Sequence, residues 1–500
     1  MTSAVATVAA LLVAATGLSG CGRVTYPAPL RDGNRAAAAE FADTLFEQVT
    51  VDAIMTHLGE FQEIADAHGG NRALGTQGYD ASLDYVVNTL RDGGFDVETP
   101  EFAVRIPWAD EPSLTVAGET ITAYPLEYTV GTQSAGSEGT AGPLVSAPAE
   151  DTPGCTASDY DGLPVEGAVV LVDRGSCPFG EKQTAAAERG ALALIVANNE
   201  DGDVKGATLG ETTDVKIPVV AVTKAAGAQL RTQQGASVAI QLNAGVRKEN
   251  TRNVIAQTKT GSTIDVVMVG AHLDSVAEGP GINDNASGVA AVLETALQLG
   301  SSPPIRNAVR FGFWGAEEVG LRGSRNYVDS LDVDSLRDIA LYLNFDMLAS
   351  PNPGYFTLDG DQSTRPGARV PRVPEGAAGI ERTLVAYLDR EGKPAEDSPF
   401  DGRSDYDPFT KSGVPAGGLF AGAGQEKSAQ QAEVWGGQAD EPFDPHYHTD
   451  LDTLDNIDRA ALQIHGGGVA YSVGLYAEDQ SGRNGLPARQ DRTRYRLTES

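Results

Sequence analysis

Two histidines and a set of acidic residues stand where the chain passes from apolar to polar, and these are the residues best placed to do chemistry. His272 follows the apolar run Val266–Ala271, and Asp274 lies two residues on, where a carboxylate can hydrogen-bond an imidazole and fix its tautomer. Asp284 lies in the Gly/Asn-rich turn GINDNASG, Glu317 and Glu318 follow FGFWGA, Asp346 closes YLNFD, and His448 lies in the polar loop DPHYHTDLDT. A lone histidine or acid at such a place is more often structural. Here two imidazoles and several carboxylates recur at the ends of successive elements, and acids gathered at one spot repel one another unless a cation sits among them. Mixed imidazole and carboxylate donors suit zinc, and the absence of cysteine nearby argues against a thiolate-rich structural zinc. Neighbouring carboxylates such as Glu317 and Glu318 must point differently, so one can bind metal while the other faces water. A solvated acidic turn would not sit behind FGFW.

Strand ends are what would gather these side chains. From about Asn250 the text alternates: TIDVVMVGAH, AVRFGFWGAEE, DIALYLNFDML and GVPAGGLFAGAG read as strands, with SGVAAVLETALQLG, IERTLVAYLDREG and the closing ALQIHGGGVAYSVGLYAED as helices. Such alternation implies an α/β fold with a mixed, mostly parallel sheet sandwiched by helices, whose ligand site lies at the carboxyl ends of the strands. Upstream, three helices are expected between about Ala36 and Gly94, the third ending at Gly93-Gly94, and FDVETPEFAV then reads as a strand. From about Pro112 to Asn243 short β-rich runs (LTVAG, GAVVLVD, ALALIVANN, KIPVVAVT, VAIQL) alternate with Gly, Pro and Asp turns, with one amphipathic helix, GEKQTAAAERGA. That texture marks a separate β-rich module inserted into the chain. His57, His68 and His465 fall on expected helices away from the motifs and read as structural or surface residues.

The chain of 500 residues is longer than one core usually serves. Its 37 Lys+Arg against 69 Asp+Glu leave a formal charge of −32, which excludes a nucleic-acid backbone as partner. Residues 1–20 are apolar and small, too short for a confident span and suited to a signal peptide, and LSGC ends at Cys21 in the manner of a lipoprotein cleavage box. The expectation is an exported protein, lipid-anchored through Cys21 to the outer face of the bacterial cell membrane, with 21–35 as tether. In that compartment the remaining cysteines, Cys155 and Cys177, are expected to form a disulfide worth about 3 kcal/mol in the chain-entropy model. Residues 483–500 read as a polar, frayed tail.

GAHLDSVAEGPGINDNASGVA, FGFWGAEEVGLRGS, NFDM and YHTDLDT together resemble the di-zinc aminopeptidases of the bacterial secreted leucine aminopeptidase type, as do DGRSDYDPFTKSGVPAGGLFAGAG and WGGQADEPFDPHYH. LPVEGAVVLVDRGSCPFGEKQTAAAERGALALIVANNEDG resembles the protease-associated (PA) domain, which often carries a cysteine pair. The resemblance implies a discontinuous catalytic domain, 36–111 with 247–482, around a PA domain at 112–246. It implies two Zn2+ ions, one on His272 and Asp346 and one on Glu318 and His448, with Asp284 bridging. It makes Glu317 the general base and Tyr447 the donor to the developing oxyanion, and places Arg403, with Asp401 beside it, at the subsite for the substrate's N-terminus. His448 is favoured over His446 as ligand, and no calcium site is specified. The implied activity is removal of N-terminal residues from peptides, with the apolar block PFTKSGVPAGGLF favouring a large hydrophobic first residue such as Leu. A carboxypeptidase would need a basic pocket, glutaminyl cyclisation does not call for the full five-ligand set, and a non-catalytic surface binding protein should have lost ligands or the base.

Overall fold

The computed structural model describes residues 32–132, 139–148, 154–202, 204, 206–364, 372–480 and 485–493. Cys21, the signal peptide and the tether up to residue 31 lie outside the described residues. The first helix begins at Asp32, inside the expected tether.

The larger unit is built on an eight-stranded sheet that runs, edge to edge, Asp96–Glu98, Val254–Gln257, Asn307–Trp314, Ser262–His272, Ile339–Phe345, Ala416–Phe420, Phe356–Leu358 and Glu396–Ser398. The central pairings among Asn307–Trp314, Ser262–His272, Ile339–Phe345 and Ala416–Phe420 are parallel, and antiparallel pairings lie toward both edges, so the sheet is mixed. Its central strands are buried on both faces, which is why VVMV, FGFW and IALYLNF read as continuous apolar runs. One face is covered by Val51–Ala67, Gln77–Asp92, Ser287–Leu299 and Arg459–Glu478, whose apolar sides form one core with Val267, Val269, Phe311, Phe313, Leu341 and Leu343. The three-glycine run of the last helix lets neighbours come close: a Cβ on Gly467 would sit 2.5 Å from the Phe46 ring. The other face holds Met268, Trp314, Tyr342 and Phe409.

The inserted module has its own eight-stranded sheet, with Thr140–Ser146, Val169–Asp173, Ala193–Ala197 and Val219–Val222 parallel at its centre, the last three buried on both faces. Cys155 and Cys177 are joined by a disulfide, as expected. A two-stranded antiparallel ribbon, Glu101–Ala109 against Ala244–Arg252, connects the module to the larger unit.

Three sequence expectations change. FDVETPEFAV is two strands, because it turns at Pro100: Asp96–Glu98 joins the large sheet and Glu101–Ala109 the ribbon. The module holds a second helix, Lys224–Arg231, whose eight residues, capped by Thr223, are too few to show a period. Residues 485–493 of the expected frayed tail are packed down: Leu486 is buried, and the Arg492 guanidinium donates to the carbonyls of Ile264 (2.9 Å) and Arg337 (3.0 Å) and to Asp265 (2.6 Å). His57 and His465 are buried, which is the structural one of the two readings given for them.

Candidate metal centre

The register of the parallel strands decides which residues meet. His272 pairs with Trp314 on one side, and Gly270 pairs with Asn344 on the other, so His272 and Asp346 emerge abreast and Glu317 follows three residues past Trp314. Turning the chain there takes left-handed backbone at non-glycine residues: Ala316 (φ 61°) before the glutamates, Met347 (φ 56°) after Asp346, and His448 itself (φ 59°). Such conformations cost free energy and persist where surrounding contacts hold them.

Asp284 stands at the middle. Its Oδ1 lies 3.1 Å from Nε2 of His272 and its Oδ2 lies 3.2 Å from Nε2 of His448. Asp346 Oδ1 is 3.3 Å from the same nitrogen of His272, and Glu318 Oε2 is 3.1 Å from that of His448. The carboxyl of Glu317 gathers with His272 and Asp346 to within 4.8 Å. His446, the neighbouring imidazole in the sequence, does not join these groups. Four carboxylates therefore face two imidazoles in a buried cleft. Burial opposes charge on His272, but Asp346, Glu317 and Asp284 outweigh it and hold its pKa well above normal. Burial, then Glu318, Asp405 and Asp346, push the Glu317 carboxyl well up against the pull of His272. Burial and then Asp284 raise Glu318 to about 7.

The donor set fits zinc. Metal–ligand bonds of about 2.0–2.1 Å in tetrahedral array put neighbouring donor atoms about 3.3 Å apart, and the four imidazole–carboxylate separations cluster there. Glu318 Oε1 is buried with no hydrogen-bond partner among the described residues, a cost that a cation would remove. Asp346 is steadied by Ser404, which donates to its Oδ2 at 2.6 Å.

Asp274 departs from its expected contact. His272 Nδ1 meets the backbone oxygen of Asp274 at 3.0 Å, while the carboxylate oxygen is 3.9 Å away. That carboxylate instead accepts from the backbone N–H of Glu317 (3.1 Å) and of Glu318 (3.3 Å), holding the glutamate pair by its main chain.

Several supporting residues escaped the sequence reading. Asn285 accepts from Met347 N and donates to the Phe345 carbonyl, so it grips both sides of Asp346. Asn283 accepts from Ala349 N, and Asp452 accepts from the N–H of Asn283 (2.7 Å) and Asp284 (2.9 Å). The fully buried Arg72 donates to the carbonyls of Leu273, Pro280 and Gly281. Gly279 lets the 276–281 loop touch the histidine loop, since a Cβ there would meet the Thr449 carbonyl at 1.9 Å. The Asn residues flanking Asp284 were a visible signal. Arg72, in a loop two hundred residues upstream, carried none.

The centre opens into a cavity of about 430 Å³ with Phe356, Leu358, Leu419, Phe420 and Phe443 on its apolar wall. Tyr447, stacked on His448 at 3.8 Å between ring centres, also lines it. So does Arg403, which is ion-paired to Asp401 at 2.7 Å.

A mixed sheet with this acid–imidazole cluster at its strand ends, and a module inserted ahead of it, defines a metallopeptidase class: the chain belongs to peptidase family M28. Residues 253–473 match Peptidase family M28 and residues 140–230 match the PA domain. The chain is 62% identical over 496 residues to the "Probable lipoprotein aminopeptidase LpqL" of Mycobacterium tuberculosis, covering 99% of this chain and 98% of that protein. It is 38% identical over 453 residues to "Leucine aminopeptidase 2" of Arthroderma otae, covering 90% and 88%. Among solved structures, an aminopeptidase from Aneurinibacillus sp. strain AM-1 matches with a TM-score of 0.67 at 25% identity, covering 86% of this chain and 95% of that one. A zinc aminopeptidase from Bacillus subtilis matches with a TM-score of 0.58 at 25% identity, covering 88% and 98%.

Proposed function

We propose that His272 and Asp346 hold one zinc ion, that Glu318 and His448 hold a second, and that Asp284 bridges the two, with Glu317 as general base. The chain is a metallo-aminopeptidase, a hydrolase of N-terminal peptide bonds. The observation that carries the two-ion reading is Asp284, whose two oxygens each face a different histidine. Zinc held there supplies a Lewis acid that polarises the scissile carbonyl and makes water a nucleophile near neutral pH. Glu317 stays off the metals, takes a proton from the attacking water and passes it to the leaving amine. Tyr447 offers its hydroxyl to the oxygen that gains charge. Arg403 and Asp401 flank the end of the cavity that takes the substrate's N-terminus, and the Phe356–Phe443 wall takes a large apolar first side chain such as Leu.

A carboxypeptidase is disfavoured by Arg403. It is the one Arg or Lys on the cavity wall among the described residues, and Asp401 already neutralises it, so a substrate carboxylate finds no basic pocket. A purely binding role is disfavoured because the five ligands and the base are all present.

We also infer that the chain is exported and lipid-anchored at Cys21 on the outer face of the membrane, in keeping with the Mycobacterium relative's designation as a lipoprotein. No described helix is long and apolar enough to cross a membrane. Metal analysis paired with hydrolysis of a leucyl chromogenic amide tests the central reading: two zinc ions per chain, activity abolished by a strong chelator and restored by zinc. A metal-free preparation with full activity would overturn it.

A further inference from the structure

The loop that carries Glu317 and Glu318 is held from the inserted module as well as from its own sheet. Within the loop, the Glu317 carbonyl accepts from Gly320 N and Leu321 N, both at 2.8 Å, and Arg322 N closes back on the Ala316 carbonyl at 3.0 Å. The Arg322 side chain then reaches in three directions. Its Nε donates to the Val319 carbonyl, the residue after Glu318, at 3.1 Å. Its Nη1 is ion-paired to the Glu211 carboxylate, and its Nη2 donates to the Tyr128 hydroxyl at 2.8 Å.

Glu211 falls within the PA match, and Tyr128 precedes it in the same module, whose core includes Tyr128. Both are tied to the connecting ribbon: Arg105 donates to the Glu211 carbonyl at 2.5 Å, and the Tyr128 hydroxyl donates to the Arg105 carbonyl at 3.2 Å. The ribbon touches the same loop through apolar contact, since Phe102, Val104 and Ile106 cluster with Ala316 and Val319, the residues on either side of the glutamate pair. The Arg322 side chain is largely buried, so its pairing with Glu211 is screened less than a surface ion pair.

We propose that Arg322, Glu211 and Tyr128 are positioning residues for the reaction: the module holds the Glu317–Glu318 loop in its working geometry, instead of acting only as a cover over the cleft. The proposal rests on Glu317 as base and Glu318 as zinc ligand. None of the three touches the cavity, so they act through the loop. Displacing a base or ligand by about an ångström costs on the order of 100-fold in rate, and partial loosening costs less.

The test uses the full-length, zinc-loaded protein carrying Glu211→Gln with Tyr128→Phe, and Arg322→Lys separately, beside Glu211→Asp as the conservative variant and Glu317→Gln as reference. Each is assayed for kcat and KM on a leucyl chromogenic amide, for zinc affinity by chelator competition, and for melting temperature. The expected result is a fall in kcat of about tenfold per zinc-loaded enzyme with KM within about twofold, weaker holding of one of the two zincs, and substantial recovery in Glu211→Asp. If the Glu211→Gln, Tyr128→Phe variant and the Arg322→Lys variant both keep wild-type kcat and zinc affinity while Glu317→Gln is inactive, the coupling is wrong and the site reading stands. If Glu317→Gln keeps full activity, the site reading fails first and the proposal falls with it.

Discussion

Glu317 and Glu318 are neighbours in sequence with different surroundings. Glu318 lies against His448, whereas Glu317 lies with His272 and Asp346 and makes no such contact with His448. Glu317→Gln is expected to keep both zincs and lose kcat by roughly 100- to 10,000-fold, the usual worth of a general base. Glu318→Gln is expected to lose zinc first and activity as a consequence. Metal content and kcat measured together separate the two, and the opposite pattern would exchange the roles. A second residue-scale outcome concerns His465, fully buried and stacked on Tyr355, with Nδ1 on the Leu348 carbonyl and a buried Nε2 without a partner among the described residues. Burial lowers its pKa to about 4. The folded state thus prefers the neutral ring, so its contribution to stability is complete above the unfolded value near 6.5 and is lost as pH falls through about 4. That window spans about 3 kcal/mol. Urea unfolding of wild type and His465→Gln at pH 7 and pH 4.5 should show the steeper acid loss in wild type; parallel losses would remove His465 as the cause.

At the scale of elements, the sequence was readable where periodicity and register act together. The central strands and the helix Ser287–Leu299 were legible because burial on both faces or one leaves an unmistakable apolar pattern, and residues just past such strands must share one edge of the sheet. What was illegible depends on contacts between distant segments. Asp274 was expected to touch the imidazole by its side chain; only the folded loop reveals that its carbonyl does so and that its carboxylate is spent on two backbone N–H groups. The docking of residues 485–493 likewise depends on Arg489 and Arg492 finding acids and carbonyls, and on Leu486 finding the core, none of which sequence can place beside them. Inside the module, the Cys155–Cys177 bridge lies just before the helix Phe179–Glu188, whose Gln183 accepts from Lys216 N (2.6 Å) and Ile217 N (3.2 Å) and so anchors the segment beyond Glu211. Replacing both cysteines by serine should lower the module's unfolding free energy by about 3 kcal/mol, read as an earlier calorimetric transition. Activity on a leucyl amide below that transition should remain, because the helix still caps the segment through Gln183. An unchanged melting profile would show that the bridge constrains little.

For the whole molecule, the ribbon decides what can be removed. Its strands pair from Glu101 with Arg252 out to Ala109 with Ala244, and the next pair is still in register, with Asp110 N donating to the Asn243 carbonyl at 2.9 Å and Asn243 Nδ2 to the Asp110 carboxylate at 2.9 Å. Residues 111–242 therefore leave and return at one point, and a two-residue Asn-Gly turn can replace them without parting the strands. Phe102, Val104 and Ile106 would stay beside Ala316 and Val319, so the apolar half of the loop's support survives. Glu211 and Tyr128 would go, leaving the Arg322 guanidinium two partners short. A deletion of this design should fold, bind zinc more weakly than the full chain, and hydrolyse leucyl amide with kcat reduced by about the same tenfold as the Glu211→Gln, Tyr128→Phe pair, since both remove the same polar support. Comparing a leucyl amide with a leucine-initiated peptide of ten or more residues separates the module's two effects. If the module also narrows the cleft, its removal raises the relative rate on the long peptide while both substrates share the loss in kcat. A folded, zinc-loaded deletion with the full chain's kcat on the amide would show that the ribbon alone sets the loop, and would return the module to a role in access only.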